Sequence, residues 1–322
     1  MRQDADVFVN PWSTSMLDLS IIVVNWNGKD LLTKCLQCVE STVKKISYET
    51  YVVDNASTDG SQDMVRRDFP NVKLIANTDN VGFAKANNQA MKAANGRYVL
   101  LLNSDAFVKK NTLDAMVAFM DTHPEASMSS CKLVYADDSL QRSCARFPTL
   151  ATEFFIALGL DKIFSKSKIF GQYLMTDWDY NDTRPVDVIM GAFMLVRKDA
   201  IDKIGMMDES FFMYSEEVDW CYRFKQAGAK VYFHPDVECV HLWGGSSNVI
   251  KVESLLRLYR ARVQFFRKHY GKLQAALYKV ILGFNALVRV GPGAIYYLTR
   301  KNPAAQQKHY AFRQLLKAIP GF

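Results

Sequence analysis

Four short apolar runs, each stopping on polar side chains, constrain this chain more than any other feature: LSIIVVNWN at 19–27, YVVDN at 51–55, KLIAN at 73–77 and RYVLLLNSD at 97–105. Runs of this length, rich in Val, Ile and Leu, read as strands buried on both faces. Between them lie stretches with helical spacing: GKDLLTKCLQCVESTVKK at 28–45, a segment from about Ser57, and VGFAKANNQAMKAANG at 81–96. Ser57 is placed to cap the second helix and Asn95-Gly96 to stop the third. This β-α-β-α-β-α-β order predicts an α/β fold with a mostly parallel sheet and helices on both faces. Right-handed crossovers carry the strand C-termini to one edge, outside which such sheets bind ligands. Asn25, Asn27, Asp54, Asn55, Asn103, Ser104 and Asp105 all fall at that edge. A turn accounts for any one of these clusters. It does not account for two carboxylates, Asp54 and Asp105, sharing a rim.

Beyond residue 130 the pattern is less regular. Residues 131–150 read as a strand and a loop. A helix is expected around 151–160, followed by a mobile segment through 165–185. VDVIMGAFMLVRKDA (186–200) reads as a strand with Gly191 inside it, the mark of a bulge or of close approach to a ligand. SEEVDWCYRFKQAG (215–228) reads as an acid-started helix closed by Gly228, with Asp219 and Arg223 paired at i and i+4. Residues 229–247 supply a strand and a histidine-bearing loop.

Hydrophobic residues make up 49% of the 322, enough for a sizeable core and against disorder. Six cysteines include a single C-x-x-C, Cys35 and Cys38, inside a predicted helix, with no second pair to complete a zinc site. Reduced cysteines in a cytosolic setting follow. The first sixteen residues lack the apolar core of a signal peptide. Charge is unevenly placed. Residues 251–322 carry fourteen Lys/Arg against one acid, Glu253, whereas residues 1–250 carry 26 basic and 32 acidic side chains.

Seven segments in order, VVNWNG, VVDNASTDGS, NVGFAKANNQA, LLNSDA, MGAFMLVRKDA, SEEVDWCYR and HLWGGSS, together resemble family 2 inverting glycosyltransferases of the GT-A fold. Within that group the chain is most similar to bacterial rhamnosyltransferase-like enzymes of cell-surface polysaccharide assembly. The resemblance spans roughly 19–247. It implies a leader (1–17), a Rossmann-like GT-A domain (18–249) and a basic, amphipathic helical extension (250–322).

The resemblance also implies roles. Asn25, Asn27, Asp54, Asn55, Gly82, Phe83, Ala84, Asn87, Asn103 and Ser104 fall where the family holds the nucleotide, although Phe83 and Ala84 equally suit a core. Asp105 and His241 match positions of the metal site, for Mg²⁺ or Mn²⁺. Here the chain departs from the family's D-x-D pattern, since Asn103 is neutral. Glu217 matches the catalytic base. Glu216, Gly191, Ala192, Phe193 and Trp243 match the acceptor side, and Trp243 with Gly244-Gly245 suggests a flap over the diphosphate. The implied partners are a nucleotide-sugar donor and a lipid-linked glycan acceptor. The preferred reading is transfer of L-rhamnose from dTDP-rhamnose to a hydroxyl of that acceptor. UDP-galactofuranose, UDP-glucose or UDP-GlcNAc as donor, and a non-catalytic nucleotide-sugar-binding scaffold, stand as alternatives.

The stretch 273–299 is apolar but interrupted by Lys279, Arg289 and a Gly-Pro-Gly. Each charge near a bilayer centre costs about 2.5–3.5 kcal/mol. An interfacial helix pair on anionic lipid therefore fits better than a span, and places the protein at the inner face of the cell membrane. A helical oligomer contact is the other reading. Nucleic acid is not expected, because base-reading motifs are absent.

Overall fold

A computed structural model describes residues 16–242, 252–291 and 303–322. In chain order its elements are β1 (Leu17–Asn25), α1 (Lys29–Thr42), β2 (Tyr48–Asn55), α2 (Ser61–Asp68), β3 (Lys73–Asn77), α3 (Phe83–Met91), β4 (Gly96–Asn103), β5 (Ala106–Val108), α4 (Thr112–Thr122), β6 (Ala126–Val134), β7 (Leu140–Gln141) and β8 (Cys144–Ala145). There follow α5 (Leu150–Leu158), α6 (Leu160–Ile163), β9 (Arg184–Val186), β10 (Val188–Ile189), β11 (Phe193–Arg197), α7 (Lys198–Ile204), α8 (Glu216–Gln226), β12 (Lys230–His241), α9 (Val252–Val290) and α10 (Pro303–Ala318).

The main sheet runs β3-β2-β1-β4-β11-β6-β12-β5. Its first four strands are parallel, as their alternation with helices requires. β11 then reverses against β4 and β6, so the sheet is mixed beyond the α/β half. Alternate residues of each strand feed opposite layers. Ile22, Val53, Val99 and Leu101 face one core, and Ile21, Val23, Val52, Leu100 and Leu102 the other. That two-sided burial is why the central runs of β1, β2 and β4 are apolar. β3, at the sheet's edge, carries no buried residue, so the sequence reading of it as buried on both faces does not hold.

Several boundaries depart from the sequence reading. The second helix starts at Ser61 behind Gly60, and the Ser57 hydroxyl is engaged with Asp54 instead of capping it. Asp59 organises that turn, accepting from the backbone N–H groups of Lys29 (2.9 Å) and Ser61 (3.0 Å). The stretch 186–200 is not one strand. Gly191 and Ala192 form a turn between β10, which pairs with β8 in a separate two-stranded sheet, and β11 of the main sheet. His241 ends β12 and lies within the strand, not in a loop. The cysteines are unbridged, with Cys35 buried on α1 as its helical spacing requires. The leader's first fifteen residues, together with Trp243, Gly244 and Gly245, lie outside the described residues.

The C-terminal helix divides in two. Gly271, at φ +90°, breaks α9. Its first half sends Val263, Phe265 and Phe266 into the core of the α/β body, and Tyr278 beyond the break stacks on Phe266 at 4.6 Å. Leu282 and Ala286 instead join Ala311, Phe312 and Leu315 of α10 in a third cluster.

Candidate active site

β1 and β2 run in parallel register with Asn25 beside Asp54. Asp54 is fully buried, and its carboxylate is saturated. Oδ1 accepts from Ser57 N (2.9 Å) and Gln62 Nε2 (2.8 Å), and Oδ2 from Asn25 Nδ2 (2.9 Å) and Ser57 Oγ (2.7 Å). Because Asn25 Nδ2 is committed to Asp54 and to Ser57 Oγ (3.2 Å), its Oδ1 is turned elsewhere, buried and without a partner. An unmet buried acceptor costs about 1–3 kcal/mol. Gly28 keeps the space before it open: a Cβ there stands 2.9 Å from Asn25 Oδ1 and 3.8 Å from Ser104 Oγ. Asn27 stitches the rim, its N–H donating to Ser57 Oγ (2.8 Å) and its Oδ1 accepting from Thr58 N (2.7 Å).

Along the same edge, Asn55 Nδ2 donates to Gly82 O (3.3 Å). Gly82 adopts φ +86°, and a Cβ there meets Phe212 O at 2.4 Å, so no other residue fits. Phe83 N donates to that same oxygen (2.7 Å). Gly191 sits between the Phe83 ring and Glu217: a Cβ there lies 3.7 Å from Phe83 Cε1 and 3.9 Å from Glu217 Cβ. Three of the residues expected at the site turn away from it. Ala84 packs in one core layer and Phe193 in the other, while Asn87 is buried with its amide returned to Phe83 O (3.0 Å).

Asn103 N donates to Ala192 O (3.0 Å), which fastens the Gly191 turn to the end of β4. Asn103 Nδ2 lies 3.4 Å from His241 Nε2, and Asp105 Oδ1 lies 3.3 Å from the same nitrogen. Pairing of β12 with β5 sets His241 opposite Ala106, directly after Asp105. Gln141, on β7, was not visible as a site residue in the sequence. Its Nε2 donates to His241 O (3.4 Å), which turns its Oε1 onto His241 Nδ1 (2.8 Å). That arrangement puts the ring proton on Nδ1 and leaves the Nε2 lone pair toward Asp105. Neighbouring ligands of an octahedral ion with bonds of about 2.1 Å stand roughly 3 Å apart, so the pair fits Mg²⁺ or Mn²⁺. Among the described residues no third His, Cys, Asp or Glu joins them. The other positions are left to water and to oxygens of a bound ligand.

The first turn of α8 carries three acids with three fates. Asp219 is fully buried and held by Arg223 Nε (2.9 Å), Lys268 Nζ (2.6 Å) and His269 Nε2 (2.7 Å). Burial alone pushes its pKa up, but these three donors hold it below the usual value. Glu216 is buried with Oε2 unpartnered, and burial, then the neighbouring Glu217, push its carboxyl well above the usual range. Glu217 is half-buried at the Gly191 turn. Burial raises its pKa, opposed by the backbone N–H groups of the helix start and by the Arg262 charge. Burial and its neighbour thus hold the proton on Glu216 more tightly than burial holds it on Glu217. Arg262 arrives from α9, donating to Tyr173 Oη (2.7 Å) and facing Glu153 (3.5 Å). Nothing in its local sequence marks it, because the helix that delivers it is remote in the chain.

The chain is 26% identical over 282 residues to the N-acetylglucosaminyl-diphospho-decaprenol L-rhamnosyltransferase of Mycobacterium tuberculosis, covering 84% of this chain and 91% of that one. It is 29% identical over 168 residues to Rhamnosyltransferase WbbL of Escherichia coli, covering 50% and 60%. Mannosyltransferase PcManGT from Pyrobaculum calidifontis, solved with GDP-Man and Mn²⁺, superposes with a TM-score of 0.57 at 18% identity, covering 97% of this chain and 90% of that one. GalNAc-T7, solved with UDP, GalNAc and Mn²⁺, superposes with a TM-score of 0.58 at 13% identity, covering 96% and 56%. These likenesses establish the GT-A fold. A family model for glycosyl transferase family 2 matches residues 20–205. On that match, which takes in the whole parallel half of the sheet and its rim, the chain belongs to glycosyl transferase family 2.

Proposed function

We propose that the protein is an inverting transferase that moves L-rhamnose from dTDP-rhamnose to a hydroxyl of a lipid-linked glycan. One observation carries the reading: the strand ends carry an unspent acceptor (Asn25) and a cation-competent pair (Asp105, His241), and Asn103 ties that edge to the Gly191 turn beside Glu217, an acid with a raised pKa. Asn25 Oδ1 accepts the N3–H of a pyrimidine base, and Asp54 orients Asn25 without touching the base. Asn55, Gly82 and Phe83 border the nucleotide, and Ser104 lies beside the base pocket. Asp105 and His241 would hold Mg²⁺ or Mn²⁺, which when bound would supply neutralisation of the diphosphate leaving group. Glu217 accepts the proton of the acceptor hydroxyl as its oxygen attacks the anomeric carbon in line, and the departing nucleotide leaves from the opposite face. Glu216, neutral, donates a hydrogen bond to the acceptor. Gly191 leaves it room, while Ala192, fully buried beside Phe193, packs in the core layer.

The relatives named as rhamnosyltransferases support the donor. Uracil presents the same N3–H as thymine, so UDP-galactofuranose, UDP-glucose and UDP-GlcNAc are the competing donors. The test is a thermal-shift panel of nucleotide sugars with either cation. Stabilisation by dTDP-rhamnose alone establishes the donor, and a flat panel sinks the reading. Glu217→Ala separates a transferase from a binding scaffold, since only the former loses a measurable turnover.

A further inference from the structure

The half of α9 beyond Gly271 is apolar on two faces. One face is spent: Ala275, Tyr278, Leu282 and Ala286 are buried against the body and α10. The other shows Leu273, Leu277, Val280, Phe284 and Leu287 to solvent, at spacings of four and three residues that align them in one stripe. Leu273 is 73% exposed and Val280 69%. The stripe does not end with the helix. Phe284 meets Phe154 of α5 (ring centroids 6.4 Å), Leu158 follows one turn on, and exposed Ile163 and Phe164 close α6. Two segments more than a hundred residues apart thus contribute exposed apolar side chains to one surface.

Its rim is basic. Lys272 and Lys279 lie on α9, where no acid stands between 272 and 290, and Lys162 and Lys166 flank the α6 side beside one acid, Asp161. Arg289 is tied inward to Ala157 O and Asn285. Lys308 of α10 feels the charges of both Lys162 and Arg289, so the three cations cluster. The single acid of the C-terminal segment, Glu253, lies before the break and is paired with Arg257. By length and composition α9 is apolar enough to cross a membrane. Its buried face packs on protein, however, which suits a helix lying on a bilayer and not one surrounded by lipid.

We infer that the α9 stripe and the α5–α6 tip together form one insertion surface for an anionic bilayer, with the basic rim at the headgroups and the apolar side chains below them. A second copy of the chain fits poorly. A two-fold interface would bring the Lys272 and Lys279 charges of two copies to one seam, with no acid between 272 and 290 to offset them. The inference deepens the lipid-linked acceptor reading and rests on it for its purpose. The surface itself stands on the exposed stripe and its charge.

The test is co-sedimentation of the full chain with vesicles of phosphatidylglycerol and phosphatidylcholine, against phosphatidylcholine alone, with solution mass measured in parallel. Leu273→Ser combined with Val280→Ser, and separately Ile163→Ser, change exposed side chains and leave the fold intact. Binding to the anionic vesicles that weakens with salt and drops about tenfold in each variant is expected. Equal binding of wild type and variants, no binding at all, or a dimer dispersed by the variants overturns the inference. Turnover on a water-soluble acceptor analogue is read on the same samples. Variants that keep it while losing vesicles support both readings. A wild type that binds vesicles yet transfers no sugar sinks only the transferase reading.

Discussion

Gln141 Oε1 lies 2.8 Å from His241 Nδ1, and across the ring His241 Nε2 faces Asp105 Oδ1 at 3.3 Å. The amide thus selects the tautomer whose free nitrogen points at the carboxylate. Gln141→Leu removes that selection without touching either ligand. It is expected to weaken Mn²⁺ binding about 10–100-fold, the usual effect of losing such a partner. Asp105→Ala and His241→Ala should abolish it. Calorimetric titration with Mn²⁺ in the presence of dTDP reads all three, and unchanged affinity in Gln141→Leu removes Gln141 from the site.

The two adjacent glutamates should separate cleanly. Glu217→Gln removes the base and is expected to lower kcat about 10²–10⁴-fold with dTDP affinity intact. Glu216→Gln copies the neutral acid already there and should retain turnover within about tenfold. A pH–rate profile adds the sign. Turnover needs Glu217 ionised, and its pKa in the free protein is raised from the usual 4.5, so the acid limb of kcat/KM should have its midpoint above 4.5. A limb at or below that value contradicts the environment described for this side chain.

Gly28 is the most economical probe of the base pocket. Its backbone is not in the left-handed region, so alanine is tolerated by the fold. The added Cβ nevertheless crowds Asn25 Oδ1 at 2.9 Å. Gly28→Ala is expected to cost roughly tenfold or more in dTDP affinity, about 1.4 kcal/mol, with little change in melting temperature. Full affinity in this variant would mean the base binds elsewhere.

Glu49 offers a test of stability remote from catalysis. Its oxygens accept from Ser20 Oγ (2.6 Å), Asn95 N (2.7 Å) and Lys73 Nζ (2.6 Å), tying β1, β2 and β3 together beneath the sheet's other end. Burial opposes its ionisation, but these donors win and bring its pKa down to about 2 from 4.5. A lowered carboxylate pKa adds stability that is complete above 4.5 and is lost as pH falls through about 2. Melting temperature should therefore fall less steeply over that window in Glu49→Gln than in wild type. At neutral pH the variant should be less stable by about 1–3 kcal/mol.

The parallel half of the fold and the positions of its rim were legible because period and polarity speak together there. In β1, β2 and β4 an apolar run that stops on Asn or Asp is a buried strand meeting solvent, whereas β3, with the same pattern, is a half-exposed edge strand. The misread boundaries share a cause as well. Ser57 has a capping residue's chemistry, but Asn25 of β1, Asp54 of β2 and the backbone of Asn27 reach its hydroxyl first. Gly191 looked like a strand glycine because the apolar residues on both sides belong to different sheets. Gln141 left no trace in a two-residue strand, and its role depends on a histidine one hundred positions away. Among Glu216, Glu217 and Asp219 the acid cluster was plain, and the pairing of Asp219 with Arg223 was read correctly. What separates the three is tertiary: Lys268 and His269 reach Asp219 from α9, and Gly191 opens a way to Glu217.

The cage around Asp219 has a thermodynamic consequence. Should the C-terminal helix peel from the rest, Lys268 and His269 leave with it, and a carboxylate in the protein interior forfeits the Lys268 charge and the His269 hydrogen bond, keeping Arg223 alone. Such a partly undone state is penalised by several kcal/mol, so it is scarcely populated. Heating should then dissolve the helix and the sheet in one cooperative step, with calorimetric and van't Hoff enthalpies in agreement.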